Sequence, residues 1–244
     1  MPVPNITFSI RPEKDIETFF AFENETYDIE QILTWAFWRP YPKLKAWFEN
    51  YKFVTDRKTV EAFVRSEYIK NEQTIQDNMR LIETTWREKE KQFSELIELL
   101  FPNTEWPEGK YECLPTIWGM YPRFLEDKTF QVPWKHEKPG YALAVISHEM
   151  LHFIWYSEFY KHHQEYASGS EDDYFVWNVS ELFNSIVQGL PSWLSVFGQE
   201  PMAYPQHETI LSELKLKYTH RKDWAAEDLT KELIERVKTH EVRR

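Results

Sequence analysis

Two histidines and a glutamate in the pattern His-Glu-x-x-His stand at positions 148–152 of this 244-residue chain. Residues four apart on a helix lie about 40° apart in azimuth and about 6 Å apart along the axis, so His148 and His152 can direct their imidazoles at one ion. Glu149 is rotated by about 100° from His148, which places it to accept a proton from a water held by that ion. The pattern therefore predicts a metal site that activates water.

This chemistry requires a helix, and the surrounding sequence predicts one from Tyr141 to about His163. Pro139-Gly140 interrupts the chain just before it, and the segment itself contains neither proline nor glycine. Its residues are apolar on nearly every side of the motif, which indicates a buried helix. Buried histidines need partners, which are either a metal ion or other polar groups of the core. Burial favours the metal, because a chance copy of the motif belongs on an exposed, charged helix.

A third ligand is expected from the next apolar segment, which runs from Tyr174 to Val187 and is ended by Gly189 and Pro191. Glu181 lies in the middle of this segment. If the two helices are antiparallel, their lengths bring Glu181 to the level of the histidines. Four other residues are open as third ligands: Asp172, Asp173, His162 and His163.

The combination of His148-Glu149-x-x-His152 with a glutamate on the next helix resembles the gluzincin branch of the zincin metallopeptidases. The resemblance covers about residues 141–190. It implies one zinc ion per chain, held by His148, His152 and Glu181, with Glu149 as the general base. It also implies a peptide or protein substrate.

The same resemblance suggests residues that assist the site. Asn184 stands about where such enzymes place a partner to a histidine ligand. Zinc peptidases commonly add a tyrosine or histidine that donates to the oxyanion of the transition state. Tyr204 and His207 are the candidates for that role, and Tyr166 and Tyr174 are alternatives.

Other classes of protein remain open. The metzincin pattern is disfavoured because Trp155 and Glu158 stand where it requires glycine and histidine. A ferritin-like di-metal bundle is also disfavoured, since the chain has no second Glu-x-x-His. Two further alternatives are a zincin-like binding or regulatory protein without activity, and a metal-dependent hydrolase acting on a non-peptide amide.

The composition limits the binding partners and the cellular compartment that we expect for this protein. The formal net charge of −11 disfavours nucleic acids and anionic membrane surfaces. Cys113 is the single cysteine, so an internal disulfide is excluded. No segment reads as a membrane span or a signal peptide, and we expect a cytoplasmic protein. The sequence does not indicate an oligomeric state.

The expected fold is α+β and mostly helical, in a single domain over residues 1–244. Residues 1–105 should form a mainly helical part, and residues 106–244 should carry strands and the zinc-bearing helices. The resemblance implies a zincin-like small sheet packed beside the active-site helix pair. We expect Thr129–Val132 to be its exposed edge strand, suited to pairing with an extended substrate.

Overall fold

A computed structural model describes residues 2–22, 29–135, 138, 140–167, 174–199, 203–220 and 224–240. It confirms an α+β chain that is mostly helical with a small mixed sheet. Its α-helices are α1 (Pro12–Ala21), α2 (Ile29–Leu33), α3 (Arg57–Lys70), α4 (Glu72–Leu100), α5 (Tyr141–His162), α6 (Tyr174–Gln188), α7 (Pro191–Phe197), α8 (Glu208–His220) and α9 (Ala226–His240). A turn of π-helix covers Thr34–Trp38, and 3-10 helices cover Pro42–Trp47, Gln164–Tyr166 and Pro205–His207.

The strands are β1 (Ile6–Phe8), β2 (Phe48–Glu49), β3 (Lys52–Phe53), β4 (Tyr111–Thr116), β5 (Arg123–Phe124) and β6 (Thr129–Pro133). Four of them form a sheet in the order β1-β4-β6-β5, and β2 and β3 form a separate hairpin. β4 runs parallel to both β1 and β6, whereas β5 is antiparallel to β6.

The prediction that Thr129–Val132 is an exposed edge strand is wrong. These residues form most of β6, which lies between β4 and β5, and all of β6 is buried. The chain turns sharply after β5, with Lys128 at a positive φ of 53°, so that Phe124 pairs with Thr129. A strand of two residues leaves no alternation in the sequence, and its covering of β6 could not be read from the pattern.

Proline within β4 is tolerated because β1 stops short of it. The pairing of β1 with β4 ends at Cys113, two residues before Pro115. Beyond that point side chains of the helices take the place of β1. The Tyr68 hydroxyl donates to the Pro115 carbonyl at 2.9 Å, and the Ile117 amide donates to the Asp15 carboxylate at 2.9 Å.

The chain divides into two compact units that do not follow chain order. The sheet unit comprises Ile6–Thr85 and Lys110–Ala142, and the helical unit comprises Met1–Asn5, Trp86–Gly109 and Leu143–Arg244. The core of the sheet unit is aromatic. The ring of Phe19 lies 4.7 Å from that of Phe37 and 5.5 Å from that of Trp118, measured between centroids.

The helical unit contains every predicted metal ligand. Its core includes the ring of Phe93, which lies 5.2 Å from that of Trp86 and 5.8 Å from that of Trp193. α6 packs against α7, α8 and α9 in this unit. Among the described residues, no helix combines the length and the hydropathy that crossing a membrane requires.

Candidate metal centre

α5 carries the motif and is buried on most of its surface. It begins directly after Gly140, whose φ of 76° suits glycine, and it continues unbroken to His162. The His152 side chain is completely buried, whereas 20% of the His148 side chain is exposed. The centre is therefore most accessible on the side of His148.

α6 runs antiparallel to α5, as three hydrogen-bonded levels show. The side chain of Gln188 reaches the carbonyl of Ala144, that of Asn184 reaches the carbonyl of His148, and Ser180 contacts the hydroxyl of Tyr156. The polar side chains of α6 that face α5 recur every three or four residues, so they share one face of an otherwise apolar helix. This arrangement places Glu181 beside the two histidines.

The three predicted ligands converge. The Nε2 atoms of His148 and His152 are 3.0 Å apart. Glu181 directs one carboxylate oxygen at each imidazole, with Oε2 3.4 Å from Nε2 of His148 and Oε1 3.3 Å from Nε2 of His152. Among the described residues, these three form the group of histidine, cysteine and acidic side chains close enough to hold one ion.

The donor set fits a tetrahedral zinc ion. Ligands bound at 2.0–2.1 Å with tetrahedral angles are about 3.3 Å apart. The two imidazole nitrogens are 3.0 Å apart, and each contacts a different oxygen of Glu181 at 3.3–3.4 Å, which is close to that spacing. Two imidazole nitrogens and a carboxylate oxygen are ligands that zinc accepts, and three protein ligands leave a position for water or substrate. The same donors also accept other divalent ions.

The charges of the centre favour a cation. Burial lowers the pKa of His148, but a hydrogen bond with Glu181 and the charges of Glu149 and Glu181 outweigh burial and raise it to about 9. Burial raises the pKa of Glu181, whereas the charges and hydrogen bonds of the two histidines hold it well below its ordinary value. The carboxylate is therefore ionised, and a proton or a metal ion at the imidazoles neutralises it. Because both would bind the same lone pairs, a metal ion bound there would displace protons.

The ring of His148 has a partner that sequence reasoning missed. Its Nδ1 lies 2.7 Å from Oε1 of Gln188. The predicted partner, Asn184, instead donates to the backbone carbonyl of His148 at 3.0 Å. Gln188 lies seven residues, or two helical turns, after Glu181, so its place on the same face of α6 was a signal in the sequence.

Glu149 is buried within α5, with 5% of its surface exposed. Its negative charge is close enough to His148 to raise the pKa of that imidazole. It therefore lies beside the predicted ligands as a largely buried carboxyl group.

His207 is completely buried beside α6. Its Nε2 lies 2.6 Å from Oδ1 of Asn178, whose Nδ2 donates to the Tyr174 carbonyl at 2.6 Å, so Nε2 carries the proton. Burial lowers the pKa of His207 to about 4, with the charge of Glu181 opposing this. The neutral ring has thus committed its one N–H to Asn178, which leaves none to donate to an oxyanion.

Tyr204 has a different environment. Its side chain is 41% exposed, and its ring packs edge-on against that of Trp177 with centroids 4.9 Å apart. Trp177 lies one helical turn before Glu181. The two alternative donors pack on other rings: Tyr166 stacks on Phe175 and Tyr174 on Trp177.

Two of the alternative third ligands, His162 and His163, have other acidic partners. His163 is buried and contacts Glu227 at 3.3 Å, and His162 lies 3.7 Å from Glu158. Asp172 and Asp173 lie outside the described residues.

A cavity of about 140 Å³ lies on another face of α5, against Trp155 and Phe159, and none of the three ligands lines it. The two glutamates in its wall are already paired, Glu158 with a lysine at 2.5 Å and Glu227 with a lysine at 3.2 Å. This cavity is therefore separate from the three predicted ligands.

Comparison with known proteins found no family model, no curated protein and no solved structure that matches this chain.

Proposed function

We propose that this protein is a zinc-dependent hydrolase that cleaves peptide bonds, with a zincin-like site. The observation that supports this most directly is the convergence of two imidazole nitrogens and the Glu181 carboxylate, with contacts of 3.0–3.4 Å, on two antiparallel helices. Glu149 adds a buried carboxylate next to the first ligand. Two imidazoles, one carboxylate ligand and one adjacent base make up the set needed for metal-assisted hydrolysis.

Each residue has a defined task in this proposal. His148, His152 and Glu181 hold the ion, and the burial of His152 keeps water out from that side. Zinc, when bound, supplies Lewis acidity that lowers the pKa of a water ligand to about 7. A carboxylate oxygen of Glu149 accepts the proton of the attacking water and delivers it to the leaving amine. The substrate carbonyl approaches from the more exposed side, at His148.

The experiment that tests the proposal replaces Glu149 with glutamine. Glu149→Gln keeps the size of the side chain and removes its basicity, so hydrolysis of a peptide library should fall by at least about 10²-fold while zinc content is unchanged. Glu158→Gln is the matched control, because Glu158 lies on the same helix away from the ligands and pairs with Lys161. That variant should hydrolyse peptides like the wild type.

The other outcomes separate the alternatives. Equal activity in the wild type and in Glu149→Gln would exclude Glu149 as the base. A zinc-loaded wild type that cleaves no peptide but cleaves simple amides would indicate a non-peptide substrate. A zinc-loaded wild type that cleaves neither would indicate a binding protein.

A further inference from the structure

We propose that Gln188 is a positioning residue that determines which nitrogen of His148 faces the metal. The inference rests on the proposed metal centre and assigns a role to a residue that does not touch the ion. It follows from the hydrogen bonds around one buried amide on the last turn of α6.

The orientation of the Gln188 amide is fixed by its surroundings. Its Nε2 lies 3.1 Å from the carbonyl oxygen of Ala144 and 3.3 Å from Oγ of Ser147. The Ser147 hydroxyl donates its own proton to the Ala144 carbonyl at 2.8 Å, so Oγ acts as an acceptor towards Gln188. Trp193 also donates to that Oγ, from Nε1 at 3.3 Å. Both neighbours of Nε2 are acceptors, so the amide nitrogen must face them and Oε1 must face His148.

This orientation determines the tautomer of the ligand. Oε1 of Gln188 can only accept, so Nδ1 of His148, at 2.7 Å, carries a proton. A ligating imidazole is neutral and has a single N–H. With that proton on Nδ1, the lone pair of Nε2 is directed towards Glu181 and His152. With the proton on Nε2 instead, the ring would present an N–H to the ion.

The Gln188 side chain is buried, which strengthens its hydrogen bond with His148. Gln188 is 4% exposed, so water does not readily replace its carbonyl as the acceptor for Nδ1. Hydrogen bonds from the outer nitrogen of a metal-bound histidine fix the ring and raise its basicity, and their loss typically weakens metal binding by about 10–100-fold.

The opposing explanation is that Gln188 only fills space between α5 and α6. The two explanations predict opposite orders of affinity. If Gln188 acts as an acceptor, Gln188→Glu should bind zinc more tightly than Gln188→Leu, because a carboxylate still accepts the Nδ1 proton even though its second oxygen faces the Ala144 carbonyl. If Gln188 only fills space, leucine should be tolerated, and a buried glutamate should be the more damaging change.

The experiment measures the zinc dissociation constant by competition with a chromophoric chelator for the wild type, Gln188→Leu and Gln188→Glu. We expect Gln188→Leu to bind zinc about 10–100-fold more weakly than the wild type and Gln188→Glu to bind more tightly than Gln188→Leu. Thermal unfolding of the zinc-free proteins checks that each variant is folded. Nitrogen-15 spectra of the zinc-loaded, histidine-labelled wild type should show the His148 proton on Nδ1 and the metal on Nε2.

Equal affinities in the wild type and Gln188→Leu would overturn the role of Gln188, as would Gln188→Glu binding more weakly than Gln188→Leu. A His148 ring with its proton on Nε2 would overturn it as well. If the wild type itself binds no zinc, the proposed metal centre is wrong and this inference is wrong with it. If the wild type binds zinc but hydrolyses nothing, the proposed activity fails while the role of Gln188 is still decided by the affinities.

Discussion

Asp15 is a completely buried carboxyl group in the sheet unit, far in the sequence from the motif that organises the helical unit. It accepts hydrogen bonds from the Ile117 amide at 2.9 Å and from Gln131 at 2.7 Å, and it lies 2.8 Å from the Tyr68 hydroxyl. These bonds connect α1 to α3, to the end of β4 and to β6. A single side chain thus ties together four segments of the unit.

The protonation of this carboxyl is unusual for an aspartate. Burial raises the pKa of Asp15 to about 6, although its hydrogen bonds act in the opposite direction. The Tyr68 hydroxyl has one proton and two acceptors, the carboxylate and the Pro115 carbonyl at 2.9 Å. When Asp15 is protonated it can donate to Tyr68, which can then donate to Pro115. The neutral form therefore satisfies all of these groups.

We predict that the stabilising effect of Asp15, measured against Asp15→Asn, decreases as the pH rises. The folded-state pKa of about 6 lies above the ordinary aspartate value of 3.8, so the contribution of this titration is fully present below about pH 3.8 and is lost as the pH rises through 6. The loss amounts to about 3 kcal/mol. Urea unfolding of both proteins from pH 4 to pH 7.5 measures it. A wild-type advantage that grows with pH would mean that the hydrogen bonds outweigh burial and lower the pKa.

The residues of the proposed metal centre differ in how far their positions could be predicted from the sequence. His148, Glu149 and His152 could be predicted to lie together once a helix was predicted, and the lack of proline and glycine in the segment predicted that helix. The position of Glu181 level with the histidines could be predicted from the lengths of the two helices. The side-chain partner of His148 could not be predicted in this way. To choose between Asn184 and Gln188 one must know the rotation of α6 about its axis, which residue spacing does not give. The burial of Asp15 could not be predicted from the sequence, because it depends on which distant segments pack against α1.

At the scale of elements, long helices and breakers were predictable and short elements were not. α5 begins directly after Pro139-Gly140, and α6 ends directly before Gly189. β5 has two residues, fewer than the alternation of a strand needs to be recognised, and the edge of the sheet was misassigned for that reason. The position of a strand in a sheet is a property of pairing between distant segments, which local patterns do not encode.

One close approach of two elements gives a prediction at this scale. The Gly119 amide, just after β4, donates to the Ala36 carbonyl in the π-helical turn at 2.8 Å. A Cβ atom at position 119 would lie 2.1 Å from the backbone oxygen of Trp35. Alanine therefore fits only if one of the two backbones moves. We predict that Gly119→Ala lowers the free energy of unfolding by more than about 2 kcal/mol.

The matched control for this variant is Gly198→Ala at the end of α7. Gly198 has a φ of 66° and no neighbour within 4 Å of an added Cβ, so alanine there meets only backbone strain, of about 1 kcal/mol. Denaturant unfolding of both variants compares steric exclusion with strain. If Gly119→Ala costs no more than Gly198→Ala, the π-helical turn does not approach β4 as closely as described.

At the scale of the whole molecule, the proposed metal centre should link ion binding to the stability of the fold. The ligands lie on two helices, with His152 and Glu181 far enough apart in sequence that an unfolded chain does not hold them together. An ion that binds the folded form alone stabilises it by RT ln(1 + [L]/Kd), which is about 2.7 kcal/mol at 100 times Kd. Folding and metal binding are then thermodynamically coupled.

We therefore predict that zinc raises the midpoint of thermal unfolding by about 5–10 °C at such a concentration, and that a chelator reverses the change. Glu181→Ala should abolish the zinc-dependent shift and lose most of the bound zinc, since two imidazoles alone hold the ion weakly. Glu165→Ala, which removes an exposed glutamate just after α5, should retain both. Scanning calorimetry with elemental analysis of the same samples measures the two quantities together. Zinc and its shift retained in Glu181→Ala would assign the third ligand to Asp172 or Asp173. A wild type with neither bound zinc nor a shift would make His148 and His152 core residues paired with Glu181.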